Sequence, residues 1–163
     1  MSAIDTYLGN NVKYAADFSK EDLPRPPAMK IAIVACMDAR LEMGALLGLE
    51  EGDAHVIRNA GGVVTDDVIR SLTVSQRLLG TREIMLIHHT DCGMLTFTDA
   101  ELKEAIQKET GIRPSFAMDT FSDLEDEVGQ SIARIKASPF VIHKDAIRGF
   151  VYEVETGRLR EVK

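Results

Sequence analysis

Residues 30–40 read KIAIVACMDAR. Six apolar residues follow a lysine without a polar interruption, and three of them, Ile31, Ile33 and Val34, are β-branched. A half-buried strand would alternate apolar with polar side chains, so an unbroken β-branched run of this length predicts a strand covered on both faces, as in a parallel sheet. The run then ends in a cysteine, an acid and a base. Two more runs resemble it: AHVIRN at 54–59 and EIMLIHH at 83–89. Between them, TDDVIRSLTVSQRLLG offers Thr65 as an N-cap, two acids in the first turn and Gly80 past the end, which predicts a helix. Strand alternating with helix implies βαβ units and an α/β fold, a mainly parallel β-sheet flanked by helices.

Outward from this centre, residues 1–27 form an N-terminal arm with one short helix over about 4–17. Three prolines within 23–27 predict an extended spacer into the 28–163 core. Toward the C-terminus, Thr98 with Glu101 and Ser122 with Glu125 have capping-box spacing. The first pair predicts a helix ending near Gly111, and the second a helix with Leu124, Val128, Ile132 and Ile135 on one face. The runs IRGFVYEV and RLREV flank ETG and predict a C-terminal hairpin. One domain is the expectation for 163 residues.

A net charge of −7 without a basic patch argues against a nucleic-acid partner. No apolar run approaches the ~20 residues that span a bilayer, so no membrane partner is expected. The N-terminus lacks the basic start and apolar stretch of a secretory signal, which predicts a cytoplasmic protein. There Cys36 and Cys92 stay reduced.

In open α/β sheets, ligands bind outside the carboxyl ends of the strands, where strand order reverses. Cys36 closes the first strand, and His89 closes the third with Cys92 just beyond. If crossovers bring these ends together, two thiolates and an imidazole make a zinc site with one tetrahedral position open. Taken singly, a cysteine ending an apolar strand is more often a small core residue than a ligand. Side-chain alternation puts His88 opposite His89 and makes His89 the candidate ligand. Asp38 and Arg40 follow Cys36 closely enough to reach the open side. Arg40 holds Asp38 ionised, and Asp38 either accepts a hydrogen bond from the reacting water or binds the metal as a fourth ligand in a closed state. The glycines of IRNAGG (57–62) belong to no nucleotide-binding pattern and read as points of close backbone approach.

CMDAR, IRNAGG and HHTDCG, in that order, resemble the β-class carbonic anhydrases along the length of the chain, in particular the plant-like and archaeal-type branch that also includes carbonyl sulfide hydrolases. The resemblance implies Zn2+ on Cys36, His89 and Cys92, a catalytic pair in Asp38 and Arg40, and reversible hydration of carbon dioxide to bicarbonate and a proton. It also implies a homodimer or higher homo-oligomer, with the arm wrapped on a neighbouring subunit. The Gly93 backbone N–H is a candidate donor to substrate. Some bacterial members hold an inhibitory bicarbonate on Trp, Arg and Tyr; the matching positions here are Ile33, Arg58 and Val74, so no such pocket is expected. Hydrolysis of carbonyl sulfide or a related small sulfur compound is the alternative reading, and a non-catalytic zinc module a further one. Two thiolates cancel the formal charge of the zinc, so water there is harder to ionise than at a three-histidine centre. Activity should therefore rise on the alkaline side of neutral. His55, His88 and His143 have no assigned role as proton shuttle.

Overall fold

The computed structural model describes residues 2–163. The run that opens the core is strand β1 (Ile31–Cys36), and β2 (Ala54–Asn59) and β3 (Glu83–His89) pair with it in parallel on either side. Strand β4 (Ile147–Glu153) adds in parallel to β3, and β5 (Arg158–Val162) pairs antiparallel to β4 as the expected terminal hairpin. The sheet order is β2-β1-β3-β4-β5. The chain leaves β1 for one neighbour and then crosses to the other, so strand order reverses between β1 and β3.

The sheet is buried on both faces because successive side chains of β1 enter different cores. Ala32 and Val34 join Ile84 and Leu86 of β3 under Val68 and Leu72 of helix α3 (Asp66–Leu79) and Ile135 of helix α5 (Leu124–Ala137). Ile33 and Ala35 join Ile87, Leu41 and Met43 on the opposite face. Helix α3 forms where its caps predict: Thr65 accepts from the Val68 N–H, and Gly80 ends the helix in the left-handed region. Helix α4 (Asp99–Thr110) opens on the full Thr98–Glu101 capping box and buries none of its residues.

Three features depart from the sequence reading. The N-cap of α5 is Asp123, whose carboxylate accepts from the Glu125 and Asp126 N–H groups, and not Ser122. Both residues suit an N-cap, and the carboxylate adds charge attraction for the helix start. Strand β2 is an edge strand with Val56 41% exposed, not a strand buried on both faces. A short helix α2 (Met43–Leu47), capped by Glu42, follows β1 in a stretch too brief to show helical periodicity. The arm helix α1 (Ala3–Ala16) forms as expected, held by a Ser2–Asp5 capping box.

Helix α5 approaches the sheet at a glycine. A Cβ on Gly149 of β4 would lie 2.1 Å from Val128 Cγ1, so any side chain there forces the helix away from the strand. Gly149→Val should cost about 1–3 kcal/mol by overpacking and lower the melting temperature by several degrees, measured by calorimetry.

Candidate metal centre and active site

The reversal of strand order places the carboxyl ends of β1 and β3 side by side, and each ends in a residue with a metal-binding atom. Cys36 terminates β1, His89 terminates β3, and Cys92 lies in the turn beyond. Their ligand atoms all lie within 4.8 Å of one another, and all three residues are buried. The Cys36 and Cys92 sulfurs are 4.0 Å apart. Two zinc–sulfur bonds of about 2.3 Å at a tetrahedral angle place sulfurs about 3.8 Å apart, so the pair is already spaced for one ion.

The histidine is preset in the same sense. His89 Nδ1 is 2.8 Å from the Thr90 carbonyl, to which it donates, and Nε2 is buried with no hydrogen-bond partner. An imidazole whose outer nitrogen is fixed by a carbonyl and whose inner nitrogen offers a bare lone pair is oriented as a ligand. The thiols complete the argument. Hydrogen bonding from Cys92 holds the Cys36 thiol down to about 4, while the same contact and burial push Cys92 up. A cation on the two sulfurs would displace their thiol protons. The donor set fits zinc.

His88 points to the opposite face. It is fully buried, its two ring nitrogens have no partner, and its ring meets Phe121 edge-on at a centroid distance of 5.6 Å. Burial holds its pKa down to about 4, so it is a neutral core residue.

Asp38 and Arg40 come together as expected. Arg40 Nε donates to Asp38 Oδ1 at 3.0 Å and Nη2 to Oδ2 at 2.7 Å, a two-point fork reinforced by the Arg40 backbone N–H on Oδ1 at 2.8 Å. This fork holds the Asp38 carboxyl well below the usual carboxylate range. Asp38 Oδ2 lies 3.7 Å from His89 Nε2 while remaining on Arg40.

Two contributors were not legible in the sequence. Arg58, at the end of β2, donates from Nε to the Cys36 carbonyl at 2.9 Å and from Nη2 to the Asp38 carbonyl at 2.6 Å, pinning the loop that follows β1. Asp91 accepts from Arg40 at Oδ2 and at its backbone carbonyl. The glycines of IRNAGG act by close approach: a Cβ on Gly62, at φ +71°, would sit 2.8 Å from the Cys36 backbone nitrogen and 3.2 Å from the Ile87 carbonyl. Of the other two positions matched to the bacterial anion site, Ile33 is buried in the core and Val74 lies on α3.

A cavity of about 560 Å³ opens beside these residues. Cys36, Asp38, His89, Cys92 and Gly93 form its polar end, and Met37, Met94, Phe97, Leu102 and Met118 its apolar walls.

Comparisons with known proteins point to one family. A family model for carbonic anhydrase matches residues 31–159. Over 162 residues the chain is 62% identical to β-carbonic anhydrase 1 of Mycobacterium tuberculosis, with 99% of each chain covered. It is 35% identical to the carbon disulfide hydrolase of an Acidianus strain, covering 97% of this chain and 90% of the relative. Among solved structures, the carbonic anhydrase of Streptococcus mutans matches with a TM-score of 0.94 at 45% identity, covering 100% of this chain and 99% of the other.

The two histidines should separate cleanly on substitution. His89→Ala should abolish stoichiometric metal binding, whereas His88→Leu, which replaces an unpartnered buried ring with an apolar side chain, should leave metal content unchanged; elemental analysis of the purified variants decides between them.

Proposed function

The chain belongs to the β-carbonic anhydrase family, and from that premise we propose that Cys36, His89 and Cys92 hold a zinc ion, with Asp38 and Arg40 beside it, in the reversible hydration of carbon dioxide to bicarbonate and a proton. The observation that carries the reading is the Arg40 fork on Asp38, which leaves an ionised carboxylate 3.7 Å from the unpartnered His89 Nε2.

Zinc held by these ligands would supply the Lewis acidity that lowers the pKa of a water and makes it a nucleophile. Asp38 accepts a hydrogen bond from that water at a carboxylate oxygen and aims its lone pair at the substrate. Carbon dioxide is apolar and enters against Met37, Met94, Phe97, Leu102 and Met118, which keep bulk water from the reacting carbon. The Gly93 N–H, on the cavity wall, serves as donor to a substrate oxygen. The proton leaves by way of solvent or buffer: the His55 ring is engaged with Ser75 at 2.8 Å, and His88 is sealed in the core.

The greater identity to a carbonic anhydrase than to a carbon disulfide hydrolase supports carbon dioxide over a sulfur-containing substrate. An inert zinc module is disfavoured because Asp38 is held on Arg40. Two buried free thiols serving as ligands fit the reducing cytoplasm. Among the described residues, no helix is long and apolar enough to cross a membrane. A homodimer or larger assembly is supported by the arm: Ile4, Tyr7, Leu8 and Val12 of α1 are all more than 60% exposed, and α1 buries none of its residues among those described. We take residues 1–163 as one domain, the arm (1–27) followed by the core.

Asp38→Ala should lower kcat/KM for carbon dioxide by on the order of 10²-fold or more in stopped-flow indicator assays without reducing zinc content. Faster turnover of carbon disulfide or carbonyl sulfide than of carbon dioxide would reverse the choice of substrate. The pH dependence follows from the fork. A carboxylate with a depressed pKa is protonated only as pH falls through that low value, so Asp38 stays ionised across pH 5–9 and the alkaline rise in activity does not report it. Arg40→Gln should let that pKa climb back toward its ordinary value and add an acid limb to the kcat/KM profile. Deleting residues 1–17 should convert the dimer or larger species to monomer in light-scattering measurements.

A further inference from the structure

Asp91 lies between two of the proposed ligands, His89 and Cys92, on the loop that follows β3. Its backbone is left-handed at φ +55°, a conformation that Asp tolerates better than most residues. It meets Arg40 twice: Oδ2 accepts from Nη1 at 2.8 Å and the backbone carbonyl accepts from Nη2 at 3.0 Å. The same Nη2 donates to Asp38. Arg40 therefore bridges the loop after β1 to the loop after β3.

The geometry points to Asp91 as a positioning residue: it anchors the Arg40 guanidinium from the side away from Asp38, so that Arg40 keeps Asp38 off the metal position and aimed at the reacting water. This rests on the functional reading above, since it assigns Asp91 a part in the same site. The physical need is clear. Arg40 is 47% exposed, and an exposed arginine paired with one carboxylate two residues away gains little net energy, because water screens the pair and the long side chain loses rotamer freedom. Asp38 Oδ2 is already 3.7 Å from His89 Nε2, so a small side-chain movement suffices to close the site. A second carboxylate and a carbonyl turn the pair into a network with fixed geometry, the case in which surface charges do hold position. The side chain of Asp91 is 73% exposed and packs no core, so its role is confined to Arg40.

The test uses the zinc-loaded full chain in three forms: wild type, Asp91→Gly and Asp91→Asn. Glycine removes the carboxylate without straining the left-handed backbone, and asparagine keeps an oxygen acceptor there. Three quantities are measured: kcat/KM for carbon dioxide, zinc content, and the hydrogen-exchange rate of the Arg40 Nε–H by 15N NMR in the resting protein. Asp91→Gly should lower kcat/KM about tenfold and accelerate Nε–H exchange with zinc content unchanged. Asp91→Asn should fall by no more than about threefold. Unaltered Nε–H exchange in Asp91→Gly overturns the proposal whatever the activity. Zinc loss in parallel with activity also overturns it, because Asp91 would then be a strut of the ligand loop. A wild-type protein that fails to hydrate carbon dioxide defeats the functional reading alone, since the exchange rate is read without substrate and still decides what Asp91 does to Arg40.

Discussion

The site depends on the side-by-side burial of β1 and β3. Each is covered on both faces by apolar side chains, and their parallel pairing from Ile31–Glu83 to Ala35–Ile87 leaves no freedom of register, because a slip of one residue would reverse which side chains face which core. Two strands so fixed must end at the same edge of the sheet. Cys36 and His89 are the residues at that edge, and their donor atoms converge because the strands that carry them cannot slide.

On this rigid edge the protein places groups that would be costly to bury unpaired. Two thiols sit at a separation suited to one cation, and a neutral imidazole has one nitrogen committed to the Thr90 carbonyl and the other bare. A bare buried nitrogen is an expense in a metal-free protein and an asset to a ligand. Arg58 and Gly62 act from outside the donor set: one ties down the carbonyls of Cys36 and Asp38, and the other brings the loop after β2 against the Cys36 backbone. The charged groups stay at the rim, where Asp38 is 19% exposed and Arg40 47%, while Cys36, His89 and Cys92 are buried behind them. Asp91 closes this ring by linking Arg40 to the loop between His89 and Cys92.

Local signals in the sequence carried as far as their physics is local. The caps of α3 and α4 were legible because Thr65, Gly80, Thr98 and Glu101 act on backbone groups within one turn. The same logic faltered at α5, where Ser122 and Asp123 both qualify and only the path of the incoming chain selects Asp123. It missed α2, whose five residues are too few to display a period. It read β2 as buried because Ala54, Val56 and Ile57 group with the fully apolar run of β1, yet position at the sheet edge is a property of strand order and leaves Val56 half open.

The sequence alone therefore determined every strand and the longer helices, the parallel α/β class, Cys36, His89 and Cys92 as candidate ligands, and the pairing of Asp38 with Arg40, all of which rest on apolar patterning, strand ends and near neighbours in the chain. The second pair of hands on the site was decided by tertiary structure. Arg58 reaches the Cys36 carbonyl across 22 residues and Asp91 reaches Arg40 across 51, and nothing in an isolated Arg or Asp announces such a partner. Those contacts exist because hydrophobic burial fixes three strands in parallel register, and the polar groups at their ends must satisfy one another wherever the sheet delivers them.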